Sequence, residues 1–94
     1  MKHLTADYDK LTWEERRKLR EAYVEAQGGR CYHCGGLLRE EPPPEIMSKG
    51  INLKLFPHGF FDHAVHLHHR HDTGATVGAV HSYCNAVLWQ YYGE

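Results

Sequence analysis

The sequence predicts a small α+β zinc-bound domain, and three observations carry that expectation. Cysteine and histidine side chains fall into two pairs of equal spacing, Cys31-x-x-Cys34 and His81-x-x-Cys84. Such paired Cys3His spacing is what a tetrahedral structural metal requires, zinc above all. Residues 64–92 then change from a period of two to a helical period, in the order strand, strand, helix. Finally, an amphipathic helix with a clear start signal precedes the first cysteine pair. At 94 residues the chain makes one domain. A core of that size is marginal by itself, and a bound metal is a common remedy.

In chain order, residues 1–11 form an N-terminal lead-in, expected to be loose, and residues 12–94 form the domain. Thr12 can cap a helix and Glu15 completes a capping box. Trp13, Leu19, Ala22, Tyr23 and Ala26 can share one apolar stripe, with Arg16, Arg17, Lys18 and Arg20 facing outward. Gly28-Gly29 stops the helix. Residues 30–36, Arg-Cys-Tyr-His-Cys-Gly-Gly, read as a zinc knuckle whose glycines let backbone amides turn toward the thiolates. Residues 40–45, Glu-Glu-Pro-Pro-Pro-Glu, read as a stiff acidic spacer, neither helix nor central strand. Ile51, Leu53 and Leu55 alternate, which suggests a short strand or extended loop, and Phe60 and Phe61 are expected to cover the core. Residues 64–68 and 76–80 read as two strands joined by a turn at 72–75. Residues 82–92 read as a helix whose apolar members are Ala86, Val87, Trp89 and Tyr91.

Composition excludes some functions. The net charge is −1 with histidines neutral, which is not the profile of a protein held to DNA by charge alone. The first ten residues lack the apolar segment of a signal peptide, and no apolar run reaches membrane-spanning length. The expectation is therefore a soluble, cytoplasmic protein with no membrane partner. Three cysteines leave zinc, a redox C-x-x-C pair, or one disulfide with a free thiol as readings. Zinc is favoured, because a bridge inside C-x-x-C closes almost no loop and would stabilise little.

A second cluster carries the chemistry. Six of the nine histidines fall between His58 and His71, most densely in His66-Leu67-His68-His69-Arg70-His71-Asp72-Thr73-Gly74, and Asn85 follows Cys84 directly. Together with Gly78-Ala79-Val80-His81-Ser82-Tyr83-Cys84-Asn85 and the upstream Cys31-Tyr32-His33-Cys34-Gly35, this resembles the recombination endonuclease VII branch of the HNH (ββα-metal) nucleases. That branch typically reads His-Leu-Asp-His-Asp-His-x-Thr-Gly, then Cys-x-x-Cys-Asn. The resemblance covers about residues 12–36 and 64–92.

The resemblance implies a metal-dependent DNA endonuclease, commonly phage-encoded and so acting in a host bacterial cytoplasm. It places the general base on His69 and a catalytic divalent metal on His68 and Asn85. His66 and His71 align with flanking histidines that orient the phosphate or protonate the leaving 3′-oxygen. Arg30, Arg39 and Arg70 could touch nucleic acid, with Arg70 the best placed. His68 stands where the family usually has Asp, which moves the metal preference from Mg²⁺ toward Mn²⁺ or another divalent transition metal. His81 stands where the family has a structural cysteine. The oligomeric state stays open, up to a weak homodimer. A competing register would use Asp62-His63 as the Asp-His pair, and a non-catalytic zinc-knuckle module that binds nucleic acid is the alternative function.

Overall fold

The computed structural model describes residues 4–94, so the first three residues of the expected lead-in lie outside the description. Helix α1 (Trp13–Ala26) begins where its capping box predicts. Thr12 Oγ1 accepts from the Glu15 amide at 3.2 Å, and the Glu15 carboxylate accepts from the Thr12 amide at 2.8 Å. These bonds from Thr12, the backbone one first, hold the Glu15 carboxyl below its ordinary value. Gly28 and Gly29 leave the helix at φ 66° and 75°, the left-handed region that a side chain disfavours.

The buried stripe of α1 differs from the expected one at both ends, Ala26 being exposed as well as Trp13. Tyr23 is buried, with Leu19 and Val24 packed beside it, but Trp13 is 76% exposed. Helical side chains lean back toward the N-terminus. A residue at the first helical position therefore overhangs the helix start instead of joining the face.

Strands β1 (Val65–His69) and β2 (Thr76–His81) pair antiparallel, with Val65 opposite His81 and Leu67 opposite Ala79. Helix α3 (Ser82–Tyr92) follows β2 without a connecting loop and ends at Gly93, which adopts a left-handed φ of 70°. Tyr23, Cys31, Leu38, Ile46, Leu67, Ala79, Val80, Cys84 and Val87 form one buried cluster shared by all these elements. The domain is thus a small α+β unit with a two-stranded sheet. No helix among the described residues is long and apolar enough to cross a membrane.

Four expectations need correction. Residues 4–11 are not loose, because they extend the sheet edge. Asp7 bridges to Ala75, the Thr76 amide donates to the Ala6 carbonyl at 2.9 Å, and the Tyr8 amide donates to the Gly74 carbonyl at 2.8 Å. The proline spacer does contain a helical turn, α2 (Pro44–Met47), because proline at the first helical position costs no hydrogen bond. Ile46 anchors that turn in the core.

The alternating residues Ile51, Leu53 and Leu55 form no strand. Leu53–Leu55 is a 3₁₀ turn, and α3 supplies its surroundings with polar contacts. Gln90 accepts from the Asn52 amide and donates to the Gly50 carbonyl, each at 2.9 Å. Last, Trp89 and Tyr91 face outward on α3. Trp89 meets Phe56 edge-on, and Tyr91 donates to the Gly50 carbonyl at 2.6 Å, so both hold the loop and leave the core to Cys84, Ala86, Val87 and Leu88.

One contact inside this frame leaves no space for a side chain. A Cβ at Gly78 would lie 2.9 Å from Gln27 Oε1 and 3.0 Å from Tyr32 Cβ. Gln27 itself accepts from the Ala79 amide and donates to the Ala79 and Arg30 carbonyls, joining the end of α1 to β2 and the knuckle. Gly78→Ala is therefore expected to destabilise by about 1–3 kcal/mol, the usual cost of overpacking. Chemical denaturation would measure it, and an unchanged midpoint would refute the close approach.

Candidate metal centre and histidine cleft

The knuckle builds half of the first site. The Cys31 amide donates to the Gly36 carbonyl at 2.7 Å, which closes the loop, and the Gly36 amide points at Cys34 Sγ at 3.4 Å. The Tyr32 amide donates to the Ala79 carbonyl at 2.9 Å, which docks the loop on β2. His81 ends β2 and Cys84 lies in the first turn of α3, so the strand-to-helix junction supplies the other half.

The ligand atoms of Cys31, Cys34, His81 and Cys84 all lie within 4.8 Å of one another. His81 Nδ1 is 3.5 Å from Cys34 Sγ and 3.6 Å from Cys84 Sγ. Zinc bonds of about 2.3 Å to sulfur and about 2.1 Å to nitrogen, at the tetrahedral angle, put such neighbours about 3.5 Å apart. The set therefore fits zinc. His81 Nε2 lies 2.9 Å from the Leu37 carbonyl and 2.8 Å from the Glu40 carbonyl. A proton on Nε2 satisfies those oxygens and leaves Nδ1 free to face the sulfurs, the usual way a backbone carbonyl orients a ligating imidazole.

No disulfide joins the three cysteines. The proximity of the Cys84 sulfur holds the Cys31 thiol well below its ordinary value and pushes Cys84 up. Burial pushes Cys34 up as well. The crowded sulfurs thus oppose one another's ionisation, and a cation is what would let all three ionise.

The second site lies along β1 and α3. His68 is buried, and its Nδ1 is 3.1 Å from Asn85 Oδ1. Asn85 Nδ2 donates in turn to His66 Nδ1 at 3.1 Å, and the His66 ring packs edge-on against Phe60 at 4.6 Å. His66 therefore stands behind Asn85 and orients its amide. Burial holds the His66, His68 and His69 rings below the ordinary imidazole value, so all three are neutral near neutral pH.

Between His68 and His69 the strand pairing slips by a bulge, so consecutive side chains are re-aimed. His69 is half-buried, with its Nδ1 fully covered and without a hydrogen-bond partner among the described residues. Its ring lies 5.3 Å from that of His71. A cleft of about 270 Å³ is lined by His68, Arg70, His71, Asp72, Gly93 and Glu94.

Of the residues singled out in the sequence, His66, His68 and Asn85 meet directly, with His69, Arg70 and His71 beside them. Arg30 does not join them, because its guanidinium donates to the Gly35 carbonyl at 3.0 Å and stays with the knuckle. Asp62 and His63 are exposed in the bend before β1, and the Asn85 amide is taken by His68 and His66. Of the two candidate pairs, His68 is the member in contact with Asn85. Sequence reasoning missed Gln27 and Tyr8, neither of which belongs to a motif. No family model, curated protein or solved structure matches this chain.

Proposed function

We propose that the chain is a metal-dependent DNA endonuclease of the ββα-metal kind. The observation that carries this reading is the pairing of His68 Nδ1 with Asn85 Oδ1 at 3.1 Å, from a strand and from the helix that the Cys3His set anchors. Two cis ligands of one octahedral cation, each bonded at about 2.1 Å, stand about 3 Å apart. A neutral imidazole and an amide oxygen also suit Mn²⁺ or another divalent transition metal, and Mg²⁺ less well. His68 and Asn85 would hold that ion. When bound, it would stabilise charge on the phosphate and leaving oxygen.

The chain's own side chains would do the rest. His69 follows the ligand directly and is held neutral by burial, so it can accept a proton from the attacking water. His71 and Arg70 line the cleft and are exposed, where they can meet phosphate oxygens. His66 holds the Asn85 amide in the orientation that turns its oxygen toward His68. The proposed products are ends with 5′-phosphate and 3′-hydroxyl groups. A net charge of −1 works against the alternative, a zinc module that binds nucleic acid without cutting it.

Supercoiled plasmid incubated with the zinc-loaded protein tests the reading. Conversion to the nicked or linear form is expected on adding Mn²⁺ or Mg²⁺ and not in their absence. An inert protein across Mg²⁺, Mn²⁺, Co²⁺ and Ni²⁺ would overturn it.

A further inference from the structure

We propose that Tyr8, backed by Arg16, is a positioning residue that fixes the ring of His69 for proton transfer. The proposal rests on the nuclease reading given above. The rings of Tyr8 and His69 are stacked nearly parallel, 3.8 Å between centroids and 5° between planes. The Arg16 guanidinium carbon lies 3.9 Å from the centroid of the same Tyr8 ring. Two groups that close to one ring centre cannot share a face, so Tyr8 is sandwiched between a cation and an imidazole. Aromatic stacking and cation–π attraction each favour this order.

The sandwich is built on a rigid base. The Arg16 Nε donates to the Tyr8 carbonyl at 3.1 Å, while the Tyr8 amide donates to the Gly74 carbonyl at 2.8 Å. Asp7 caps the short 3₁₀ turn Tyr8–Lys10, and its neighbour Ala6 is bonded to Thr76 through both the backbone and the hydroxyl. The N-terminal segment is therefore tied to the far strand and to α1 at once.

His69 needs such a support. It lies on the outer side of the bulge, where the ladder has lost register, and its covered Nδ1 finds no partner among the described residues. A general base in a metalloenzyme often has its ring oriented by a hydrogen bond to the inner nitrogen. Here that bond is missing, and the flat face of Tyr8 limits rotation of the ring instead. The stack acts on orientation, so its loss should lower turnover and leave DNA binding alone.

The test compares wild type, Tyr8→Phe and Tyr8→Leu in the plasmid assay, with zinc content measured for each. Phenylalanine keeps the stack, whereas leucine keeps apolar bulk and loses it. The expected result is a kcat within about threefold of wild type for Tyr8→Phe and roughly 10- to 100-fold lower for Tyr8→Leu, with KM for DNA and bound zinc unchanged. A second readout is independent of activity: the His69 ring protons should show an upfield ring-current shift in wild type and Tyr8→Phe that disappears in Tyr8→Leu. Tyr8→Leu cutting at the wild-type rate, or no ring-current shift in wild type, would overturn the positioning role alone. A wild-type protein inert with Mg²⁺, Mn²⁺, Co²⁺ and Ni²⁺ would instead sink the nuclease reading, and this role with it.

Discussion

Cys84→Ser is expected to strip the domain of its metal and of its cooperative fold. Cys84 is completely buried in the first turn of α3, and its sulfur faces His81 Nδ1 and the knuckle thiols. The four-residue set joins two stretches almost fifty residues apart in the chain, Cys34 and His81 being 47 positions apart. Structural zinc sites of this type supply about 10–16 kcal/mol of apparent binding energy. The net stability of a whole domain is only about 5–15 kcal/mol. Losing one ligand, and leaving the buried Cys31 and the half-buried Cys34 to face each other without a cation, is therefore enough to unfold the chain. Native mass spectrometry should find one zinc per wild-type chain and none in the variant. Circular dichroism should show a cooperative melt only for the wild type, and a strong chelator should reproduce the variant. A wild type without zinc, or a variant with an unchanged melt, would refute the metal centre.

The second large effect is expected at His69. His69→Ala should lower metal-dependent nicking by about 10²–10⁴-fold, the usual contribution of a general base. The fold should survive, because His69 is only half-buried and lies outside the Cys3His set. Zinc content and the melt therefore serve as controls in the same experiment. The variant separates the two readings of the site: equal nicking by wild type and His69→Ala would remove His69 from the chemistry. A drop that came with loss of zinc would point to folding instead, and would assign His69 no role in proton transfer.

Much of the architecture was legible beforehand, and the reason is locality. The capping box of Thr12 and Glu15, the C-x-x-C pair and the two-then-helical periodicity of residues 64–92 each lie within a few neighbouring residues. Such signals act through the adjacent backbone, so they hold whatever the rest of the chain does. The meeting of His68 with Asn85 was expected from the family resemblance, and the Cys3His set, by fixing Cys84 beside Asn85, holds that helix end against the strand.

The misses share another cause. Residues 4–11 carry no periodicity, yet they pair with Thr76 and Ala75, whose backbone the two-stranded sheet leaves free. Leu53 and Leu55 alternate like a strand, yet no strand edge among the described residues pairs with them. Tyr8 beside His69, and Gln27 beside Ala79, depend on where distant unpaired groups end up.

The sequence alone determined the Cys3His set, the α1 start and the strand–strand–helix order, because caps, Cys/His spacing and periodicity are set between near neighbours. Only the tertiary structure decided what closes the sheet edge, what orients Asn85 and what covers the face of His69. Those contacts are chosen by which buried polar groups and ring faces still lack a partner once the local elements have packed.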